Sequence, residues 1–197
     1  MRPNPPVIWL ASASPRRCEL LTQIGIGFRQ VVAPVDESKF TASCAFELVT
    51  MLAREKARTT FESLAHDGPE YLPVLGADTV VVLDDRALGK PRDRDDAIAM
   101  LNGLSGITHE VITAIALHTR NELLVEAVTT RVTFKNMTAN EIDQYCDTDE
   151  PWDKAGAYAI QGRAAAFVSH LEGSYSAVVG LPLFETVQLL LRGGVRV

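Results

Sequence analysis

Five apolar residues, Val7 to Ala11, run straight into Ser12-Ala13-Ser14-Pro15-Arg16-Arg17. That switch predicts a strand delivering a helix N-terminus, with Ser14 suited to the N-cap and Pro15 to the first helical position. From Pro15 to Ile24 the pairs Cys18/Leu21 and Leu20/Ile24 keep helical spacing, and Gly25 suits a left-handed C-terminal cap. Phe28 to Pro34 reads as a second strand, followed by a polar turn through Asp36, Glu37 and Ser38. Ala42 to about Leu64 reads as a long helix with Phe46, Val49, Leu52, Ala53 and Ala57 on one face, and Lys56 lies on it. His66 to Tyr71, containing Gly68 and Pro69, predicts a loop.

The run from Pro73 to Leu83 is almost unbroken apolar and β-branched, the pattern of a strand buried on both faces, with Asp78 in its middle. After a turn at Asp84 and Asp85 comes Gly89-Lys90-Pro91, then a helix over Asp95 to Asn102 that Gly103 ends. Glu110 to His118 predicts a strand, and the alternation at Val128, Thr130, Val132 and Phe134 predicts a half-exposed antiparallel partner. Thr138 and Glu141 form a capping box opening a helix to about Cys146. A long loop at 148–164 precedes a short strand, Ala165 to His170, and Pro182 opens a terminal helix to Leu191 that Gly193 and Gly194 close. Strands alternate with helices first and pair as a hairpin later, so the expected fold is a three-layer α/β domain with a mixed, twisted sheet. No linker or repeat divides residues 1–197, and a single domain is expected.

Charge narrows the partners. With 25 acidic against 19 basic side chains the net charge is −6, which argues against non-specific nucleic-acid or anionic-membrane binding, so an anionic ligand needs a local basic pocket. Cys18, Cys44 and Cys146 lack a CxxC or Cys/His spacing, pointing to reduced, mostly buried thiols. Neither a signal peptide nor a span of membrane length is evident, and a cytoplasmic location is the default expectation.

Chemistry concentrates at four places. At the Ser12–Arg17 junction, helix N–H groups, the positive dipole end and two guanidinium groups would cradle a phosphate, although an ordinary capped helix with solvated arginines fits the same residues. Asp78 in an apolar strand is expensive unless compensated, and a carboxylate facing cations can hold a divalent metal and orient water. Gly76 and Ala77 leave room there for a ligand to approach closely. Lys90 on its proline-stiffened loop is a candidate phosphate contact. The segment from Glu150 to Gly162 is dense in small residues; Trp152 and Tyr158 suit hydrophobic plugs, and the amide of Gln161 could read a base edge. The four histidines have no metal-ligand spacing, and P-loop, dinucleotide and hydrolase-elbow motifs are absent.

In order, LASASPRRCELL, AREKA at 53–57, GADT at 76–79, GKP at 89–91, DKAGAYAIQG at 153–162 and GLPL at 180–183 resemble the Maf family of nucleotide pyrophosphatases over nearly the whole chain. The resemblance implies an elongated two-lobed α/β fold with a central cleft, similar to inosine triphosphate pyrophosphatases. It also implies hydrolysis of a nucleoside triphosphate between the α- and β-phosphates with a divalent cation, Mg²⁺ or Mn²⁺, and a homodimer. By the same likeness Asp78 is the proton acceptor, Arg16, Thr79 and Gln161 tune substrate choice, and Ser12, Arg17, Glu37, Lys56, Lys90 and Lys154 line the cleft. Glu37 and Asp78 are the expected metal carboxylates. DKAGAYAIQG looks like the branch acting on dTTP and UTP rather than on 7-methylguanosine triphosphate; Ala13, Gly89 and Trp152 depart from the usual pattern. A nucleotide-binding regulatory protein linked to cell division is the alternative.

Overall fold

The computed structural model describes residues 4–32, 34–64 and 72–197. Strand β1 (Ile8–Ala11) feeds helix α1 (Pro15–Gln23), and β2 (Phe28–Val31) returns parallel to β1, with Ile8 opposite Phe28 and Ala11 opposite Val31. A single 3-10 turn at Glu37–Lys39 precedes α2 (Ala45–Leu64), after which β3 (Val74–Leu83) lies parallel to β1 on its other side. Trp9 pairs with Val74 and Ala11 with Gly76. Helices between parallel strands are what a crossover connection requires.

The end of β3 turns back through Asp84 and Asp85 into β4 (Arg86–Leu88), which pairs antiparallel with it. Both aspartates have positive φ, 48° and 62°, as a two-residue hairpin whose twist matches its strands demands. Next come α3 (Arg94–Leu104), β5 (Thr108–His118), β6 (Leu123–Phe134) and α4 (Ala139–Cys146). Two further 3-10 segments, Ala155–Ala157 and Arg163–Phe167, lead to β7 (Val168–Glu172), antiparallel to β6, and then to α5 (Tyr175–Val179) and α6 (Leu183–Arg192). The sheet is mixed and seven-stranded, in the order β2-β1-β3-β5-β6-β7, with β4 on β3.

The chain divides into two compact units. The first comprises Met1–Asp78, Thr113–Val128 and Gly180–Val197, and the second Thr79–Ile112 and Thr129–Val179. Ile8, Leu10, Leu21, Leu75, Ile115 and Leu189 are fully buried in the first. The second is centred on aromatic side chains: Phe134 packs edge-on against Tyr158 at 4.9 Å and Phe167 at 6.3 Å between ring centres, and Tyr145 against Phe167 at 5.4 Å. Such edge-to-face packing adds directional preference to area burial.

Several boundaries differ from expectation, each for a local reason. α2 starts at Ala45, not Ala42, because the Glu47 carboxylate accepts from both the N–H and the hydroxyl of Ser43, holding that residue outside the helix. Phe46, on the first turn, is consequently 49% exposed instead of lining the buried face. Gly103 continues α3 and does not end it; the left-handed turn falls at Gly106, φ +72°. Residues 163–167, expected partly as strand, wind as a 3-10 segment, and β4 and α5 were not anticipated. The strand expected over Phe28–Pro34 stops at Val31, and Ala33 lies outside the described residues, as does the loop expected at His66–Tyr71. All three cysteines are free, but only Cys146 is buried; Cys44 is exposed.

Candidate active site

Six of the expected site residues, Ser12, Arg16, Arg17, Glu37, Lys56 and Asp78, belong to the first unit, and the packing of α2 on β3 explains how Lys56 meets Asp78. A Cβ on Gly76 would lie 2.5 Å from the Ala53 carbonyl oxygen and 2.7 Å from the Ala57 nitrogen, so glycine is what lets the helix backbone touch the strand. The room expected at Gly76 for a ligand is therefore filled by α2. That contact brings Lys56, next to Ala57, to Asp78, two residues beyond Gly76. The Lys56 ammonium donates to Asp78 Oδ1 at 2.7 Å and pairs with Glu37 Oε1, also at 2.7 Å. Lys56 and Asp78 side chains are only 13% and 14% exposed, whereas Glu37, on its 3-10 turn, is 56% exposed.

Arg17 lies alongside, buried, and its guanidinium ties three segments together. Nε donates to the Gly180 carbonyl at 2.8 Å, while one terminal nitrogen donates to the Ala77 carbonyl at 2.9 Å and to Ser12 Oγ at 3.1 Å. Ser12 and Ala77 each follow the paired residues Ala11 and Gly76, so the arginine ties the chain just past β1 to the middle of β3. The left-handed backbone of Gly180, φ +129°, favours glycine where its carbonyl meets Arg17. Ser12 Oγ also accepts from the Ser14 N–H at 3.1 Å. Ser14 holds the N-cap position of α1 as expected, but its own hydroxyl makes no cap bond.

Electrostatics couple these groups. Burial pushes the Asp78 carboxyl above its ordinary range; the positive charges of Lys56 and Arg17 pull it back, and Glu37 raises it further. Burial lowers the Arg17 guanidinium, Asp78 and Glu37 hold it up, and Arg16 pushes it down. A buried charge is tolerated only when paired and hydrogen-bonded, which the cluster achieves on both sides. Two carboxylates claimed by one ammonium form a set of hard oxygen donors suited to Mg²⁺ or Mn²⁺. Among the described residues no group of three or more His, Cys, Asp or Glu side chains could hold a metal ion by itself. Such an ion would have to complete its shell with water and phosphate oxygens, as Mg²⁺ commonly does in nucleotide sites.

The remaining expected residues, Thr79, Lys90, Lys154 and Gln161, belong to the second unit. Thr79 follows Asp78 on β3, and Lys90 is exposed. Lys154 pairs with the Asp153 carboxylate and is largely buried. The Gly156 N–H donates to the Gly89 carbonyl at 3.0 Å, joining the two glycine-containing loops, and Ala157 holds a left-handed φ of +59°, a cost that structure around it must offset. Tyr158 is the expected plug, buried with its hydroxyl 2.8 Å from His109 Nε2. Trp152 is not a plug: it is 38% exposed, with its indole N–H donating to the Thr148 carbonyl at 3.0 Å. The side chains that hold this segment, Tyr145, Glu150 and His109, carry no motif.

A family profile described as "Maf-like protein" matches residues 7–192. The chain is 49% identical over 195 residues to a protein of Bordetella avium, covering 96% of each chain. It is 53% identical over 186 residues to one of Alkalilimnicola ehrlichii, covering 94% of this chain and 92% of the relative. A third, from Escherichia coli, is 50% identical over 183 residues, covering 93% and 91%. All three relatives are named dTTP/UTP pyrophosphatase. A solved structure, that of the Staphylococcus aureus Ham1 protein, is similar with a TM-score of 0.46 and 15% identity, covering 95% of this chain and 98% of that one.

Proposed function

The chain belongs to the Maf family, and from that premise we propose that it hydrolyses dTTP and UTP between the α- and β-phosphates, releasing the monophosphate and pyrophosphate and so clearing these nucleotides from the pool. The observation that carries this reading is the Lys56 ammonium held between Asp78 and Glu37, beside the buried Arg17 guanidinium. Carboxylates for an ion and water next to fixed cations for phosphate are what attack on a phosphoryl centre needs.

In this mechanism Asp78 takes the proton of the attacking water as its oxygen bonds to the α-phosphorus and the bond to the bridging oxygen breaks, with pyrophosphate leaving. Burial makes Asp78 a stronger base than a solvated aspartate. Glu37 and Asp78 would hold Mg²⁺ or Mn²⁺, which supplies charge neutralisation and a more acidic water. Arg17, whose donors already bind Gly180, Ala77 and Ser12, acts as a fixed positive charge and as a brace between the end of β1 and the middle of β3. Lys56, Arg16, Lys90 and Lys154 offset charge on the phosphates. Thr79, Arg16 and Gln161 choose the nucleotide, with the Gln161 amide reading the base. The proposal extends to residues 1–197 acting as one catalytic domain in a cytoplasmic homodimer without nucleic-acid or membrane partners; among the described residues no helix is long and apolar enough to cross a membrane.

The test is a panel of nucleoside triphosphates with Mg²⁺ or Mn²⁺, scored separately for pyrophosphate and orthophosphate. Pyrophosphate from dTTP and UTP above the purine nucleotides is expected. Orthophosphate alone would replace the reading with a phosphatase, and binding without either product would make the protein a nucleotide-binding regulator.

A further inference from the structure

Gln161 is exposed at the end of a segment with little regular structure, yet a base-reading amide needs a backbone that stays put. The backbone around it is held from both sides. Before it, the Ala159 N–H donates to the Tyr145 hydroxyl at 3.0 Å, and the Tyr158 hydroxyl is tied to His109. After it, the Arg163 N–H donates to both carboxylate oxygens of Glu150, at 2.9 Å each. Arg163 opens the 3-10 segment Arg163–Phe167, whose N-cap is Gly162 and which has no side-chain cap of its own.

A side chain at that glycine would displace the carboxylate. A Cβ at Gly162 would sit 2.3 Å from Glu150 Oε2, 2.4 Å from its carboxyl carbon and 2.6 Å from Oε1. Glu150 occupies the volume that a side chain at Gly162 would fill and accepts from the Arg163 N–H, the first unpaired donor of the turn. Gly162 and Glu150 are thus a matched pair: the cap is delivered from eleven residues upstream of Gln161 and locks the residue pair that follows it. Glu150 is itself half-buried, and its N–H donates to Thr148 Oγ1 at 3.3 Å, so the carboxylate is placed from its own backbone.

We propose that Glu150 is a positioning residue for nucleotide choice, capping the 163–167 turn across Gly162 so that the Gln161 amide is presented in one orientation. This rests on the reading that Gln161 meets the base. The carboxylate does no chemistry; it acts through the backbone. Losing it frees the Arg163 N–H and opens a space beside Gly162, so Gln161 samples orientations that must be selected again at each binding event.

The experiment compares Glu150→Ala, Glu150→Gln and Gln161→Ala in the full chain, by steady-state kinetics on dTTP, UTP, ATP and GTP and by amide hydrogen exchange of the peptide covering 159–163. Glu150→Ala is expected to raise KM for dTTP and UTP about ten-fold, and to narrow their advantage over the purine nucleotides by a similar factor, with kcat within about three-fold of the parent. Exchange at 159–163 should quicken. Glu150→Gln keeps an acceptor and the shape, so it should restore KM, ratio and protection to near the parent values, which also guards against a misfolded alanine variant. Unchanged exchange in Glu150→Ala, or a fall in kcat with KM and ratio unaltered, would overturn the proposal. Gln161→Ala separates the two failures: if it leaves the nucleotide ratio flat, the base-reading role falls, while exchange in the Glu150 variants still scores the clamp.

Discussion

The cluster around Asp78 and the segment around Gln161 are built in opposite ways. The first is held by side-chain charges on strands and helices, with Arg17 bonded to Ser12 just past β1 and to Ala77 within β3, and Lys56 delivered by α2. The second is held by its backbone, through the N–H groups of Gly156, Ala159 and Arg163, and leaves its key amide exposed. Groups that stabilise charge gain from burial, because a low dielectric strengthens fixed electrostatics. A group that must read a ligand's edge has to be uncovered, so precision must come from the chain beneath it. Rate and choice should therefore separate by mutation.

The largest break is expected at Asp78. Asp78→Asn keeps the shape but removes the proposed base and one proposed metal carboxylate, so pyrophosphate release should fall by roughly a thousand-fold or more while nucleotide binding by calorimetry is retained. Next comes acid stability of the second unit. Burial depresses the His109 imidazole to about 4, against an ordinary value near 6.5. The unfolded chain therefore takes up that proton first: the contribution is fully present above about pH 6.5 and is lost as pH falls toward 4, on the order of 3 kcal/mol in all. Urea titrations between pH 7 and 4 should show that decline, and His109→Gln, which can still bond the Tyr158 hydroxyl, should flatten it.

Gly76→Ala should press its new methyl into the Ala53 carbonyl and the Ala57 nitrogen. The expected cost is about 1–3 kcal/mol in thermal or denaturant unfolding, together with lost activity as Lys56 moves from Asp78. A smaller effect sharpens the comparison. Lys56→Met should lower kcat/KM about ten-fold, and it should shift the acid limb of activity upward. The sign follows from the carboxylate: Asp78 must be ionised, burial raises its pKa, Lys56 lowers it, and removing the lysine leaves the rise unopposed.

Much of the scaffold was legible because its signals are local. The Thr138/Glu141 capping box forms as its spacing implies, and an apolar run marks β3. Where a side chain from elsewhere decides, local pattern misled: Gly76 reads as ligand space until α2 is seen against it, and residues 165–167 read as the start of a strand until Glu150 caps the 163–167 segment as a 3-10 turn. Asp78 stood out because a carboxylate in a buried strand demands a partner. Which cation answers it was not readable, since Lys56 lies 22 positions away and reaches it only through the Gly76 contact.

The separation of rate from choice is tested most directly by measuring pyrophosphate release from dTTP, UTP, ATP and GTP by Asp78→Asn and Gln161→Glu side by side. The predicted result is that Asp78→Asn abolishes turnover on every nucleotide, while Gln161→Glu re-orders the nucleotides and leaves the best kcat within a few-fold of the parent. An unchanged ranking with Gln161→Glu, or substantial turnover remaining with Asp78→Asn, would contradict it.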